Sequence, residues 1–388
     1  MIDESDYGLS NYQWQKNGIG GQIKTKSNDF LVDEIDATSG IPVSSFEVSS
    51  SEENGLFLTG VAWKKGIDHV KLVNYISKLF RVDEKDISTA GIKDSNAETY
   101  QLFSVFQPQQ IPSDPIQPTS HIEFSKFHYR REKVYPGNSA GNNFEIIIRN
   151  YAKPSNDYMN EFQKIVEAGI VNYYGYQRFG GTRPISAKIG RYILNNDYEN
   201  IVNAFLGYKS ISSDEIYRKM WRDTRDPELL LKEWYNIPLL EKLLLKYLIK
   251  QKTINKSVIQ IFPIFLQNIF KSAFISFLTN QYLSQRYQLD QLLAGEREIE
   301  NNIEIALPSN KWIKPLNHIW KDVFEINSLK FHELKAIRHT SRFLWVYPMF
   351  WNHIINDDTM QLNFRLPPGS YATTILRELM KSPIINYF

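Results

Sequence analysis

Residues 172–181 read NYYGYQRFGG, and the chain has a different texture on each side of them. Upstream, short β-forming runs dominate. GQIKTKSNDFLVDEI (21–35) alternates around Ile23, Phe30, Val32 and Ile35, and FLTGVAWK (57–64), TYQLFSVF (99–106) and FEIIIR (144–149) read as further strands. One helix interrupts them: Val70, Val73, Ile76, Leu79 and Phe80 recur at helical spacing, with Asp68 placed to cap it. Four prolines (Pro108, Pro112, Pro115, Pro118) predict an irregular connection over 107–119. From about residue 160 the period becomes helical, over 159–167 and then 185–194, 198–206, 229–234, 239–250 and 265–287. A β-like pattern returns in MQLNFRLPPGSYATTIL (360–376), closed by a short helix ending near Lys381. A β-rich start, a helical middle and a β-rich end predict an α+β chain with an insertion inside one domain. No internal repeat is visible at periods of 20 to 50 residues.

Composition narrows the function. The 388 residues are 42% hydrophobic and 14% aromatic, which excludes disorder for most of the chain and leaves flat rings for stacking. There is no cysteine, so disulfide scaffolds, thiolate zinc sites, iron–sulfur clusters and cysteine nucleophiles are excluded. The start, MIDESDYGLS, lacks the basic and apolar regions of a secretory signal, and residues 1–20 read as a loosely held arm. The most apolar stretch, 258–278, contains Gln260, Pro263, Gln267, Asn268 and Lys271, too polar for a membrane span. A cytoplasmic protein without a membrane partner is expected. Residues 1–60 carry ten acids against three lysines, so the remainder has a net charge of +9, which suits a polyanionic partner.

Familiar catalytic signatures are missing: there is no GxxxxGK[ST] and no HExxH. The seven histidines are scattered, and His332 and His339, seven apart, have no carboxylate at ligand spacing, so no metal is expected. Three constellations remain. Ala90-Gly91-Ile92-Lys93-Asp94 places a carboxylate on a loop between packed elements, either a catalytic position or a solvated turn pair. Lys126, His128, Arg130, Arg131 and Lys133 interleave with Phe127, Tyr129 and Tyr135 before Gly141-Asn142-Asn143-Phe144. That pattern suits an RNA groove, or equally a basic edge that discourages strand pairing. In NYYGYQRFG the glycines, aromatics and Arg178 suit packing at a junction or contact with a ligand.

Taken in order, these segments resemble the TruD family of tRNA pseudouridine synthases. The resemblance runs along most of the chain, through GQIKTKSNDFLVDEI (21–35), AGIKDSNAETYQ (90–101), KVYPGNSAGNNF (133–144), NYYGYQRFG (172–180), SFLTNQYLSQR (276–286) and LPPGSYATTILRELMK (366–381). It implies a pseudouridine-synthase catalytic domain, a mixed and largely antiparallel sheet with flanking helices, formed from 1–167 and 340–388. A mostly helical TRUD domain, 168–339, is inserted in it.

The implied reaction breaks the C1′–N1 bond of a uridine in tRNA, turns the uracil, and rejoins it through C5. It has no redox step, so no cofactor is expected. Asp94 matches the family's catalytic aspartate and would act ionised, as nucleophile at C1′, by addition to C6, or by removing a ribose proton. A base inside folded tRNA must be flipped out, at a cost of a few kcal/mol. Stacking worth ~1–3 kcal/mol per base offsets that. By position, Phe144 matches the ring against the target base, and Asn142 the amide that contacts substrate and orients the aspartate. Phe30 and Tyr371 match pocket aromatics, Tyr371 standing where bacterial relatives commonly have Phe. Lys93, Lys24 and Glu34 match further substrate-binding positions. Uridine 13 is the position bacterial members take; archaeal and eukaryotic relatives can take other positions and other RNAs. The basic stretches of the insertion (Arg218, Lys219, Arg222, Arg225; Lys242, Lys246, Lys250, Lys252) are the candidate ruler, or else a solvated helix face. The default expectation for assembly is a monomer with no obligate protein partner.

Overall fold

The structure of the protein, a computed structural model, describes residues 2–48, 51–52, 54–91, 93–135, 137–308, 317–329 and 341–388. Two compact units emerge: Lys16–Ile170 with Val346–Phe388, and Met1–Gln15 with Val171–Trp345. His332, His339 and the seam expected at 339/340 lie outside the described residues.

In the first unit the described residues form a ten-stranded sheet. Its order is Met349–Ile355, Thr359–Leu366, Ser139–Tyr151, Phe30–Asp36, Glu98–Phe106, Phe57–Lys65, Ile122–Arg130 and Ile116–Thr119. Gly20–Gln22 adds to Ser139–Tyr151, and Ile87–Thr89 adds to Glu98–Phe106. Phe30–Asp36 lies at the centre, antiparallel to Ser139–Tyr151 and parallel to Glu98–Phe106. Successive strand residues face opposite sides, so the register sets which side chains meet. Glu34 lies opposite Asn142, and Asn142 opposite Leu366.

Helix His69–Phe80 forms where its spacing predicts, and the Asp68 carboxylate caps it by accepting from the Lys71 amide. Its Leu72, Ile76 and Phe80 bury against Leu58, Ala62, Phe103 and Val105, while Val70 turns outward. Three expectations need correction. The connection over 107–119 is not irregular throughout, since Ile116–Thr119 is a short strand that pairs with the one after it. The strand expected over 144–149 spans Ser139–Tyr151. The β-like end stops at Leu366, where Pro367, Pro368 and Gly369 break the ladder before helix Ala372–Met380.

The helical unit corrects a fourth. Residues 3–14 are not a loose arm: Asp3 caps a 3-10 turn over Glu4–Tyr7, and Tyr7, Leu9 and Trp14 are buried. Buried Asn280, on the 23-residue helix Ile264–Arg286, donates to the carbonyls of Tyr7 (2.9 Å) and Tyr174 (3.0 Å) and accepts from the Tyr174 amide (2.8 Å). Arg178 donates to Ser272 (2.6 Å) and Ser276 (3.1 Å) of the same helix. NYYGYQRFG is therefore a packing element. Among the described residues no helix is long and apolar enough to cross a membrane.

Gly141 sits at φ +139°, and a Cβ there would stand 2.2 Å from the Leu366 carbonyl oxygen, a backbone atom that cannot yield cheaply. Gly141→Ala is expected to cost about 3 kcal/mol, lowering the melting midpoint of this unit by roughly 6–12 °C. Calorimetry checks it.

Candidate active site

The loop from Ala90 to Ala97 joins Ile87–Thr89 to Glu98–Phe106. Its backbone is held at several points. The Gly137 amide donates to the Ala90 carbonyl (3.0 Å) and the Gly66 amide to that of Ala97 (3.1 Å). Lys64 Nζ donates to the Asp94 carbonyl (2.8 Å), and Asn96 Nδ2 to the carbonyl of Lys24 (3.4 Å). The Asp94 carboxylate accepts from Lys24 Nζ at 2.7 Å. Lys24 has 3% of its side chain exposed, against 34% for Asp94, so the cation is sealed while the carboxylate still meets solvent. Lys24 also lies 4.6 Å from the centre of the Phe30 ring.

Lys93 points elsewhere. Its Nζ donates to Asn142 Oδ1 (2.5 Å) and stands 3.2 Å from Glu34 Oε1, while Glu34 Oε2 accepts from the Leu102 amide (2.8 Å). Burial raises the Glu34 carboxyl above the ordinary range, and the Lys93 charge opposes that rise. The contact that orients the aspartate thus comes from Lys24, and Asn142 holds Lys93.

An aromatic row lies beside these charges. Phe30 packs edge-on against Phe144 (6.1 Å between ring centres), Phe144 stacks on Phe364 (5.5 Å), and Phe364 on Trp351 (5.5 Å). Tyr371 stands five residues beyond Leu366, half-buried at the head of helix Ala372–Met380. The anticipated residues therefore form two chains of contacts, Asp94, Lys24, Phe30 and Phe144 in one, Lys93, Glu34 and Asn142 in another. Asp33 and Asn143, one residue out of phase, line a concavity of about 580 Å³ with Tyr100, Arg365 and, from the aromatic row, Phe144 and Phe364.

The basic stretch at 126–131 is largely engaged within the fold. Lys126 donates to the carbonyls of Val43 and Ser44, buried His128 accepts from Arg130, and Arg130 lies 3.4 Å from Asp36. Lys64 was not anticipated. Its signal was its phase: it continues the inward positions Leu58, Gly60 and Ala62 of its strand, where a lysine needs a partner. Among the described residues no three His, Asp or Glu side chains gather as a metal site requires.

A crystal structure of the Methanosarcina mazei protein described as a putative tRNA pseudouridine synthase D (TruD) superposes with a TM-score of 0.69. It covers 98% of each chain at 22% identity, and so shows a shared fold. The family model described as tRNA pseudouridine synthase D (TruD) matches residues 6–315. The chain belongs to this family of RNA-modifying isomerases. Relatives named "Probable tRNA pseudouridine synthase D" occur in Thermococcus sibiricus, 27% identical over 96% of this chain and 98% of theirs. Another, in Pyrococcus furiosus, is 28% identical over 94% and 96%.

Lys93→Met removes the cation opposite a buried carboxylate, which is expected to cost about 3 kcal/mol at pH 8. Because the raised Glu34 carboxyl takes up a proton as pH falls, the deficit should shrink towards pH 5. Thermal melts of variant and wild type at the two pH values measure this.

Proposed function

We propose that the chain isomerises a uridine of tRNA to pseudouridine with Asp94 as its catalytic carboxylate, and that uridine 13 is the position taken. The observation that carries this reading is the state of Asp94: a partly exposed carboxylate on a pinned loop, with one oxygen on a sealed ammonium and the other directed by that contact. Such a group is aimed rather than mobile, which is what attack on a flipped nucleotide demands. Phe30 and Phe144 offer an apolar wall for the loosened uracil, and Tyr371, at the head of helix Ala372–Met380, is assigned as a further substrate aromatic. Lys93 and Asn142 support the wall by their mutual bond. The catalytic domain is read as the sheet unit, Lys16–Ile170 with Val346–Phe388, in place of the 1–167 with 340–388 expected from the sequence, the inserted domain as the helical unit over 171–345, and the enzyme as a cytoplasmic monomer.

Substrate choice is assigned to exposed charge on the inserted domain. Arg218 does not contribute: it is buried, paired with Asp214 and Glu241. Lys219 pairs with Asp223 (2.5 Å) and Arg222 with Glu215 (2.5 Å). Lys242, Lys246 and Lys250 are exposed at i, i+4 and i+8 on helix Leu239–Gln251, one stripe suited to phosphates.

Two outcomes are expected. Asp94→Asn should lower turnover by at least ~10³-fold while tRNA affinity changes by less than about threefold, since phosphate contacts supply most of the binding. Carbodiimide labelling and primer extension on a tRNA pool should give a stop at uridine 13 with wild type and none with the variant. Free uracil in place of an isomer would replace isomerisation by base excision. Replacing Lys242, Lys246 and Lys250 together by alanine should reduce the slope of log affinity against log salt by about 2–3. A filter-binding series in potassium chloride reads that slope.

A further inference from the structure

Lys64 is fully buried at the end of strand Phe57–Lys65, yet among the described residues it pairs with no carboxylate side chain. Its Nζ donates to two main-chain carbonyls, those of Ile67 (2.8 Å) and Asp94 (2.8 Å). Ile67 stands just ahead of helix His69–Phe80, which is anchored in the apolar core by Leu72, Ile76 and Phe80. The ammonium therefore ties the backbone of residue 94 to a rigid helix start, while Lys24 holds the same residue by its carboxylate.

We infer that Lys64 is a positioning residue for the isomerisation: it sets the main-chain conformation of Asp94 and, through it, the direction of the carboxylate. This rests on the reading of Asp94 given above. Lys64 makes no contact with the reacting atoms. Its task is geometric, and a displacement of about 1 Å at a reacting group costs roughly 10²-fold in rate.

The charge on Lys64 gives the role a signature. Burial pushes its ammonium down to about 8, against the attraction of Asp94 and Asp68 and with the repulsion of Lys93. His69, next to Asp68, is itself pushed down by burial and by Lys64. As pH rises through about 8 the ammonium becomes an amine, its grip on the Asp94 carbonyl weakens, and turnover should fall. Stability moves the other way. The unfolded lysine holds its proton up to the ordinary 10.5, so the unfolded state binds more protons between these values, and stability grows with pH across the window. A merely structural lysine with this titration would raise stability in the same way and leave turnover unchanged.

The experiment is single-turnover and steady-state kinetics on tRNA from pH 7 to 9.5, with wild type, Lys64→Met, Lys64→Arg and Asp94→Asn, each with its melting midpoint. Lys64→Met is expected to lower kcat about 30- to 100-fold at pH 7.5 with KM within about twofold, and to lose the alkaline fall. Lys64→Arg, whose charge persists, should regain part of the rate and extend the plateau to pH 9.5. The wild-type midpoint, relative to Lys64→Met, should rise over the range in which its kcat falls. Wild-type kcat flat to pH 9.5, an unchanged alkaline fall in Lys64→Arg, or Lys64→Met within twofold of wild type would each overturn the inference. Should Lys64→Met not fold, the wild-type and Lys64→Arg profiles decide it. Inactive Asp94→Asn beside near-normal Lys64→Met removes only the role of Lys64. Active Asp94→Asn removes the catalytic reading of Asp94 and this inference with it.

Discussion

A lysine ammonium sealed from water against a carboxylate is the contact on which this structure turns. An ammonium removed from water without a partner costs several kcal/mol, so Lys24 is tolerable in its place only with Asp94 opposite. Two segments 70 residues apart must come together for that pair to form. The same requirement operates beside it, where Lys93 lies against buried Glu34, and again at Lys64, whose partners are carbonyls. Each charge restricts the backbone of its neighbour. The result is a polar arrangement that cannot relax without leaving a charge unmatched, which is the condition that the role proposed for Asp94 requires.

The sheet makes this arrangement possible by its register. Glu34, Asn142 and Leu366 are cross-strand neighbours on three adjacent strands, and the parallel pairing of Phe30–Asp36 with Glu98–Phe106 brings the Asp94 loop alongside. The helical unit buries charge for a different purpose. Arg286 and Glu296, 2.6 Å apart and wholly enclosed, tie down the chain that leaves helix Ile264–Arg286, with further bonds from Arg286 to the carbonyls of Leu289 and Gln291. Nothing in that pair meets solvent. The partial exposure of Asp94 sets it apart from such a fastening pair.

Much of this was legible from local pattern. The helix after Asp68 and the strands at 57–64 and 99–106 follow from period and cap, because neighbours in sequence decide them. Residues of the Asp94, Phe30 and Asn142 stretches were found through their resemblance to a family, and the structure brings them into two contact chains. What was not legible depended on distant partners. Tyr7 looked like part of a loose arm because the side chain that holds it, Asn280, lies far along the chain. Arg218 looked like surface charge until Glu241 was seen beside it. The strand Met349–Ile355 went unread because Phe350 takes a left-handed conformation and the register shifts there, breaking the alternation that signals a strand. Lys64 carried a readable cue, a cation at an inward strand position, whose meaning appears only with the Asp94 carbonyl in view.

The central claim is that Asp94 meets a uridine taken out of the tRNA stack, and the structure of Asp94→Asn bound to unmodified tRNA tests it most directly. The account predicts one extruded uridine, its C1′ within about 4 Å of the residue-94 side chain and its base against Phe144. A bound tRNA with every uridine stacked and no nucleotide within about 10 Å of residue 94 would contradict it.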